Sequence, residues 1–147
     1  AKGHRQSTML DMATQLGISA WQPLLCDRSV SSVGKNSYQR WQRICLEACK
    51  QSGSAWLPDL LPVLKPEEVA INACAEGREV LLAHPGGAAL DVSSDTDKLL
   101  MIGPEGGFTE DEVRRIVAAG ATTFSLGQHI LRIETAAVSL LARFRLA

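Results

Sequence analysis

"MIGPEGGFTEDEV", residues 101–113, decides how the rest of the chain is read. An apolar run stops at Gly-Pro, turns through Gly-Gly, and enters a segment with helix-start chemistry. Thr109 stands three residues before Glu112, the spacing of a capping box. Glu110, Asp111 and Glu112 complement the positive end of a helix dipole. A strand, a glycine turn and a helix in this order form the unit of α/β domains, whose ligands sit beyond the carboxyl ends of the strands. Charge limits the choice of ligand. The Lys-Ser/Thr of a P-loop is missing and no GxGxxG occurs. A phosphate here would meet three carboxylates, with Glu105 close by. At roughly 4–8 Å and an effective dielectric near 20, each repulsion costs about 2–4 kcal/mol, more than the dipole returns. Gly106 and Gly107 permit close approach to backbone groups. Adenosine suits such a turn, and the positive sulfonium of S-adenosylmethionine suits the acids. From residue types alone, a purely structural turn stays equally open.

Working outward, "KLLMIG" (98–103) and "REVLLAH" (78–84) are apolar runs of strand length, each closed by a Gly/Pro turn, and read as buried parallel strands. "TTFSLG" (122–127) is a third strand. Helices are predicted over 109–119 and 133–146. Another opens at Pro66, with Glu67 and Glu68 in its first turn, and ends near Gly77. Residues 37–52 suit a helix with Tyr38, Trp41, Ile44, Cys45 and Ala48 on one face and Arg40, Arg43, Glu47 and Lys50 on the other. Residues 6–16 suit a helix burying Met9, Leu10, Ala13 and Leu16. "ISAWQPLL" (18–25) reads as a short strand and 27–36 as a loop. "LPDLLPVL" (57–64) reads as a connection with little regular structure. The alternation predicts one α/β domain with a mostly parallel sheet flanked by helices. Its three strand ends are "AHPGG" (83–87), "GPEGG" (103–107) and "LGQHILRIETA" (126–136).

The chain's 147 residues fit one domain with a sizeable core. No apolar run approaches the length of a membrane span, and the first residues hold no apolar signal core, so neither a membrane nor export is expected. The cysteines, Cys26, Cys45, Cys49 and Cys74, form no CxxC and have no histidine at a zinc-ligand spacing. They read as reduced cytosolic thiols packed as small hydrophobes, and no metal is implied. Net charge is −1, unevenly spread. Residues 1–54 carry seven basic against three acidic side chains, residues 55–112 three against twelve, and residues 113–147 five against one. Bringing the two ends together would set a basic face beside an acidic one.

"LLAHPGG", "LLMIGPEGGFTEDEV" and "LGQHILRIETAA" together resemble the three cofactor-loop motifs of the RsmE family. Two upstream stretches agree, "LCDRSV" (25–30) and "RWQRICLEACKQSG" (40–53). These are SPOUT-class methyltransferases that methylate N3 of a uridine in the 16S rRNA of the small ribosomal subunit. The resemblance implies a deep trefoil knot near the carboxyl end, a cytoplasmic homodimer, and S-adenosylmethionine bent within the knot. The family's small PUA-like RNA-binding barrel has no counterpart in residues 1–147, so the chain is expected to be the catalytic portion. Leu82, His84, Gly103, Glu105, Gly106, Leu126, Gly127, Ile130, Leu131 and Arg132 would line the cofactor pocket, mostly through main chain. The catalytic pair would be Arg132 and Glu134, with Glu134 and Thr135 ordering the third loop. Lys2, Arg5 and Arg28 would hold RNA. Where the family usually has arginine, this chain has His129 and Ser54. Met12 and Gln15 stand where it usually has Lys and Glu, and a further Glu near Gln6 or Ser7 is missing. These departures bear on RNA binding more than on the cofactor.

Uracil N3 is a poor nucleophile while protonated, so the enzyme must take or share that proton and align N3 with the methyl group. A guanidinium beside it stabilises the developing anion, and Arg132 is the candidate. Arg132 also has a structural reading, a salt bridge to Glu134 or Glu105. His84 reads as a cofactor contact or a structural histidine, and Trp21, Trp41 and Trp56 as core or interface residues. Two other activities fit the same motifs: a SPOUT enzyme acting on another RNA site, and a non-catalytic RNA-binding or dimerisation module.

Overall fold

A computed structural model describes residues 3–29 and 33–146. In chain order it contains α1 (Gly3–Gln15), β1 (Ala20–Trp21), α2 (Ser37–Ser52), β2 (Asp59–Leu60), α3 (Pro66–Ala75), β3 (Glu79–Ala89), β4 (Lys98–Met101), α4 (Glu110–Ala118), β5 (Thr122–Ser125) and α5 (Ile133–Arg145). The α/β class and parallel pairing are as expected, and α2 has the predicted bounds. The sheet, however, comes in two parallel pieces: β1 pairs with β2, and β3 lies between β4 and β5.

Alternation along β3 builds the core on both faces of the larger sheet. Leu82 packs with Ala70 and Ala73 of α3, Met101 of β4 and Ile116 of α4. Leu81 points the other way, to Phe124 of β5 and Leu140 of α5. A strand buried on both faces explains its uninterrupted apolar run. Burying each such leucine contributes about 2 kcal/mol. A separate cluster joins α1 to α2 through Leu10, Trp41 and Cys45. In α1 the buried fourth position is Thr14, not Leu16; its hydroxyl donates to the Leu10 carbonyl at 2.8 Å.

Two sequence-based expectations need correction. The stretch 57–64 is not irregular throughout, because Asp59 N and Leu61 N donate to Ser19 O and Trp21 O across the β1–β2 pair. Pro58 and Pro62 fall on the alternate positions, where no N–H is needed for this ladder. Proline therefore hid a strand it does not disrupt. "AHPGG" likewise does not end its strand. Phe124 is partner first to Ala83 and then to Ala88, so His84–Gly87 bulge out and β3 runs on to Ala89. Gly87 makes this possible: a Cβ there would lie 2.6 Å from the Phe124 Cα.

α1 and α5 lie side by side and run parallel. Arg5 near the start of α1 approaches Glu134 near the start of α5, and Arg145 near the end of α5 donates to the carbonyl of Leu16, just beyond α1.

Candidate functional site

Register brings the three glycine-containing segments to one edge. Leu82 is the partner of Met101 on one side and of Thr123 on the other. All three strands run the same way, so the segments after Ala83, Met101 and Ser125 leave the same carboxyl edge. Helices α3 and α4 on one face and α5 on the other wall this edge without covering it.

The turn after β4 is held from several directions. Gly107 N donates to Pro104 O at 2.7 Å, and Gly107 has φ of +72°. A side chain at that φ is strained, so glycine fits the turn. Phe108 lies under Gly103. The expected capping box forms: Thr109 Oγ1 accepts from Glu112 N at 3.1 Å, and Glu112 Oε2 accepts from Thr109 N at 2.8 Å. Glu112 is 1% exposed, and its other oxygen accepts from Asp27 N at 2.6 Å. Arg28 Nη1 donates to Gly106 O at 3.0 Å, and its stem crosses the glycine.

At the bulge, His84 is half-buried and its Nδ1 accepts from Gly86 N at 3.3 Å, as a structural histidine would. Leu82 forms the buried floor. Beyond β5, Leu126 packs with Leu81 and Phe124, while Gly127 N donates to Ser125 Oγ at 3.3 Å. The next residues are open to solvent: Ile130 is 96% exposed, and His129, Leu131 and Arg132 are exposed too. Arg132 caps α5 with its main chain only, its carbonyl accepting from Ala136 N at 2.9 Å.

Of the residues expected to act together, several meet and others do not. Leu82, His84, Gly103, Gly106 and Leu126 surround the strand ends, and Arg28 joins them through Gly106. Glu105 is exposed on the same turn. Glu134 pairs with Arg5 at 3.9 Å, and among the described residues Arg132 makes no ion pair with Glu134. Lys2 lies outside the described residues. Trp41 is core at 1% exposure, whereas Trp56 is 81% exposed and therefore not core. Asp27 and the second bond of Glu112 were missed, because sequence spacing shows a helix cap and not what lies 85 positions away.

Burial sets the local thiol chemistry. Cys26, beside Asp27, is pushed up to about 11, first by burial and then by the charge of Glu112. Burial also raises Cys45. Both are neutral near pH 7 and unsuited to nucleophilic work. A cleft of about 1010 Å³ lies between β1 and β4 and is walled by α1 and α5. Gly103, Pro104 and Glu105 stand on its rim, but His84, Gly127 and Arg132 do not line it. The end of β4 thus borders that cleft, while His84 of β3 and the segment after β5 lie outside it.

A family model described as an RNA methyltransferase domain matches residues 1–145. Ribosomal RNA small subunit methyltransferase E of Synechocystis sp. is 35% identical over 97% of this chain and 49% of its own length. The protein of that name from Bacillus subtilis is 29% identical over 92% of this chain and 58% of its own length. The chain thus spans about half the length of the curated relatives it matches. Among solved structures, ribosomal RNA small subunit methyltransferase E from Neisseria gonorrhoeae, bound to S-adenosyl methionine, is similar with a TM-score of 0.88 and 31% identity. The match covers 99% of this chain and 62% of that one.

Proposed function

The chain belongs to the RNA methyltransferase family, in its RsmE branch, and from that premise we propose that it carries the S-adenosylmethionine site of an rRNA methyltransferase acting on N3 of a uridine in the small ribosomal subunit. The observation that carries this reading is the convergence of three glycine-containing segments on one edge of β4-β3-β5. The relatives' names supply the substrate class, and the cofactor comes from the solved relative.

The residues present fit such a cofactor. Leu82 supplies an apolar floor, and Gly106 keeps the turn thin. Glu105 offers negative charge to a sulfonium, and the acidic start of α4 disfavours phosphate. When bound, the cofactor supplies an electrophilic methyl group. The protein's work is to hold the uracil against it and to favour loss of the N3 proton. Arg132 is the candidate cation for the uracil anion. Among the described residues it makes no ion pair with Glu134, which pairs with Arg5 instead. Glu134 has a supporting role in this reading, tying the start of α5 to Arg5 of α1.

The homodimer and the trefoil knot implied by the resemblance belong to the same proposal. Exposed Ile130 and Leu131 support the homodimer, since apolar side chains beside a ligand edge suit a partner surface.

Calorimetric titration with S-adenosylmethionine, with ATP as control, tests the cofactor site. Saturation near one site per chain without an ATP response is expected. Transfer of a labelled methyl group to a 16S rRNA transcript, followed by nucleoside mass spectrometry, tests the reaction. Label recovered as N3-methyluridine supports the reading; label in another nucleoside or in ribose would redirect it.

A further inference from the structure

The carboxylate of Glu112 does more than a helix cap requires. A capping box uses one side-chain acceptor for the cap N–H. Here the second oxygen reaches into the Cys26–Ser29 turn and accepts from Asp27 N at 2.6 Å, shorter than the 2.8 Å cap bond itself. The group is buried, and among the described residues no basic side chain pairs with it. Its charge is met by two N–H donors from segments far apart in sequence. Further bonds close the same joint. Thr109 Oγ1 donates to Asp27 Oδ2 at 3.2 Å. Arg115 stands 3.9 Å from Asp27 and 3.5 Å from Glu67 of α3.

Next to Asp27 is Arg28, whose side chain reaches the glycine turn. Its guanidinium donates to Gly106 O at 3.0 Å. A Cβ on Gly106 would lie 3.1 Å from the Arg28 Cβ, so the absent side chain lets the arginine lie across the turn. We propose that Glu112 is a positioning residue for methyl transfer: it clamps the Cys26–Ser29 turn to the start of α4 and thereby sets the Arg28 cation against Gly106. One of the five guanidinium donors is used in that bond. The others serve acceptor oxygens of the bound RNA beside the reacting base. Arg28 thus acts at the methyl-transfer edge itself rather than as one of several surface cations holding RNA phosphates.

The inference rests on the methyltransferase reading above, and its test separates the two. Glu112→Gln leaves one acceptor oxygen for the two N–H donors of Asp27 and Thr109. Glu112→Gln, Arg28→Ala and the double variant are compared in S-adenosylmethionine affinity, in kcat and KM for methylation of a 16S rRNA transcript, and in amide exchange at Asp27. Each single variant is expected to lose about tenfold or more in kcat/KM for RNA, with cofactor affinity changed by less than about threefold. The double variant should be no worse than Arg28→Ala, because one effect acts through the other. Asp27 should exchange about tenfold faster in Glu112→Gln and not in Arg28→Ala. Multiplying losses in the double variant, or an unchanged Asp27 amide, would overturn the clamp. Glu112→Asp keeps the charge and, one methylene shorter, reaches only one of the two donors; it repeats the cycle if the glutamine variant does not fold. A wild-type chain that binds cofactor but methylates no RNA would count against the methyltransferase reading, and Asp27 exchange alone would then decide the clamp.

Discussion

The turn at Gly103–Gly107 and the segment Gln128–Arg132 leave the same carboxyl edge of the sheet, on either side of β3, yet the chain treats them differently. The first is closed by its own backbone bond, backed by Phe108, capped into α4 and crossed by Arg28. The second presents Ile130 almost wholly to solvent and is anchored by Gly127 at one end and the first turn of α5 at the other. One half of the ligand edge is therefore shaped by folding. The other is left open to solvent, and at the proposed cofactor site it would take its shape on binding, at an entropic cost.

The largest test of this contrast acts on the strand from which the open segment departs. Gly87→Val places a side chain against the Phe124 backbone and should destabilise the protein by about 3 kcal/mol, measured by urea unfolding. S-adenosylmethionine binding should be lost with it. A variant of near wild-type stability would mean that β3 and β5 separate easily, and the contrast would fail.

Alkaline pH tests the tied-down side. Cys26 has a folded pKa of about 11 against 9.0 unfolded. Below 9.0 both states hold the proton and the full stability is present. Between 9.0 and about 11 the unfolded chain ionises first, so stability falls as pH rises. The shift corresponds to roughly 2–3 kcal/mol. Denaturation at pH 8 and pH 10.5 should show the drop, and Cys26→Ala should reduce it. An equal slope in the alanine variant would place the titration elsewhere.

Thr109→Ala removes the hydroxyl that caps α4 and touches Asp27, and should cost about 1 kcal/mol in thermal unfolding. The smallest effect on stability belongs to Ile130→Ala, within about 0.5 kcal/mol. That same change should weaken S-adenosylmethionine binding by calorimetry. Amide exchange should slow at residues 128–132 when the cofactor is added and change little at 103–107. A destabilising Ile130→Ala would sharpen the comparison in the opposite sense, by showing that the open segment already packs within the single chain.

Much of the architecture was legible because it depends on local chemistry. The cap at Thr109 and Glu112, proline at the start of α3, and the apolar faces of α1 and α2 are written in neighbouring residues. The apolar runs of β3 and β4 needed only length and flanking turns. The strand at Asp59–Leu60 escaped notice, since two flanking prolines look irregular until the partner strand shows which N–H groups bond. The site divides in the same way. Its glycines, Leu82 and Glu105 follow from motifs, whereas the pairing of Glu134 with Arg5 instead of Arg132 follows from the parallel packing of α1 and α5.

By itself, then, the sequence determined the α/β class, the glycine-containing ends of β4 and β5 and the acidic helix start that disfavours phosphate. Periodicity, caps and charge act over a few residues and can be read from them. Tertiary structure alone decided that β3 continues past its glycines, that the sheet comes in two parts, and that Glu112 reaches Asp27. Each depends on where backbones distant in sequence meet, and a buried carboxylate or a missing Cβ has meaning only once its neighbour across the fold is known.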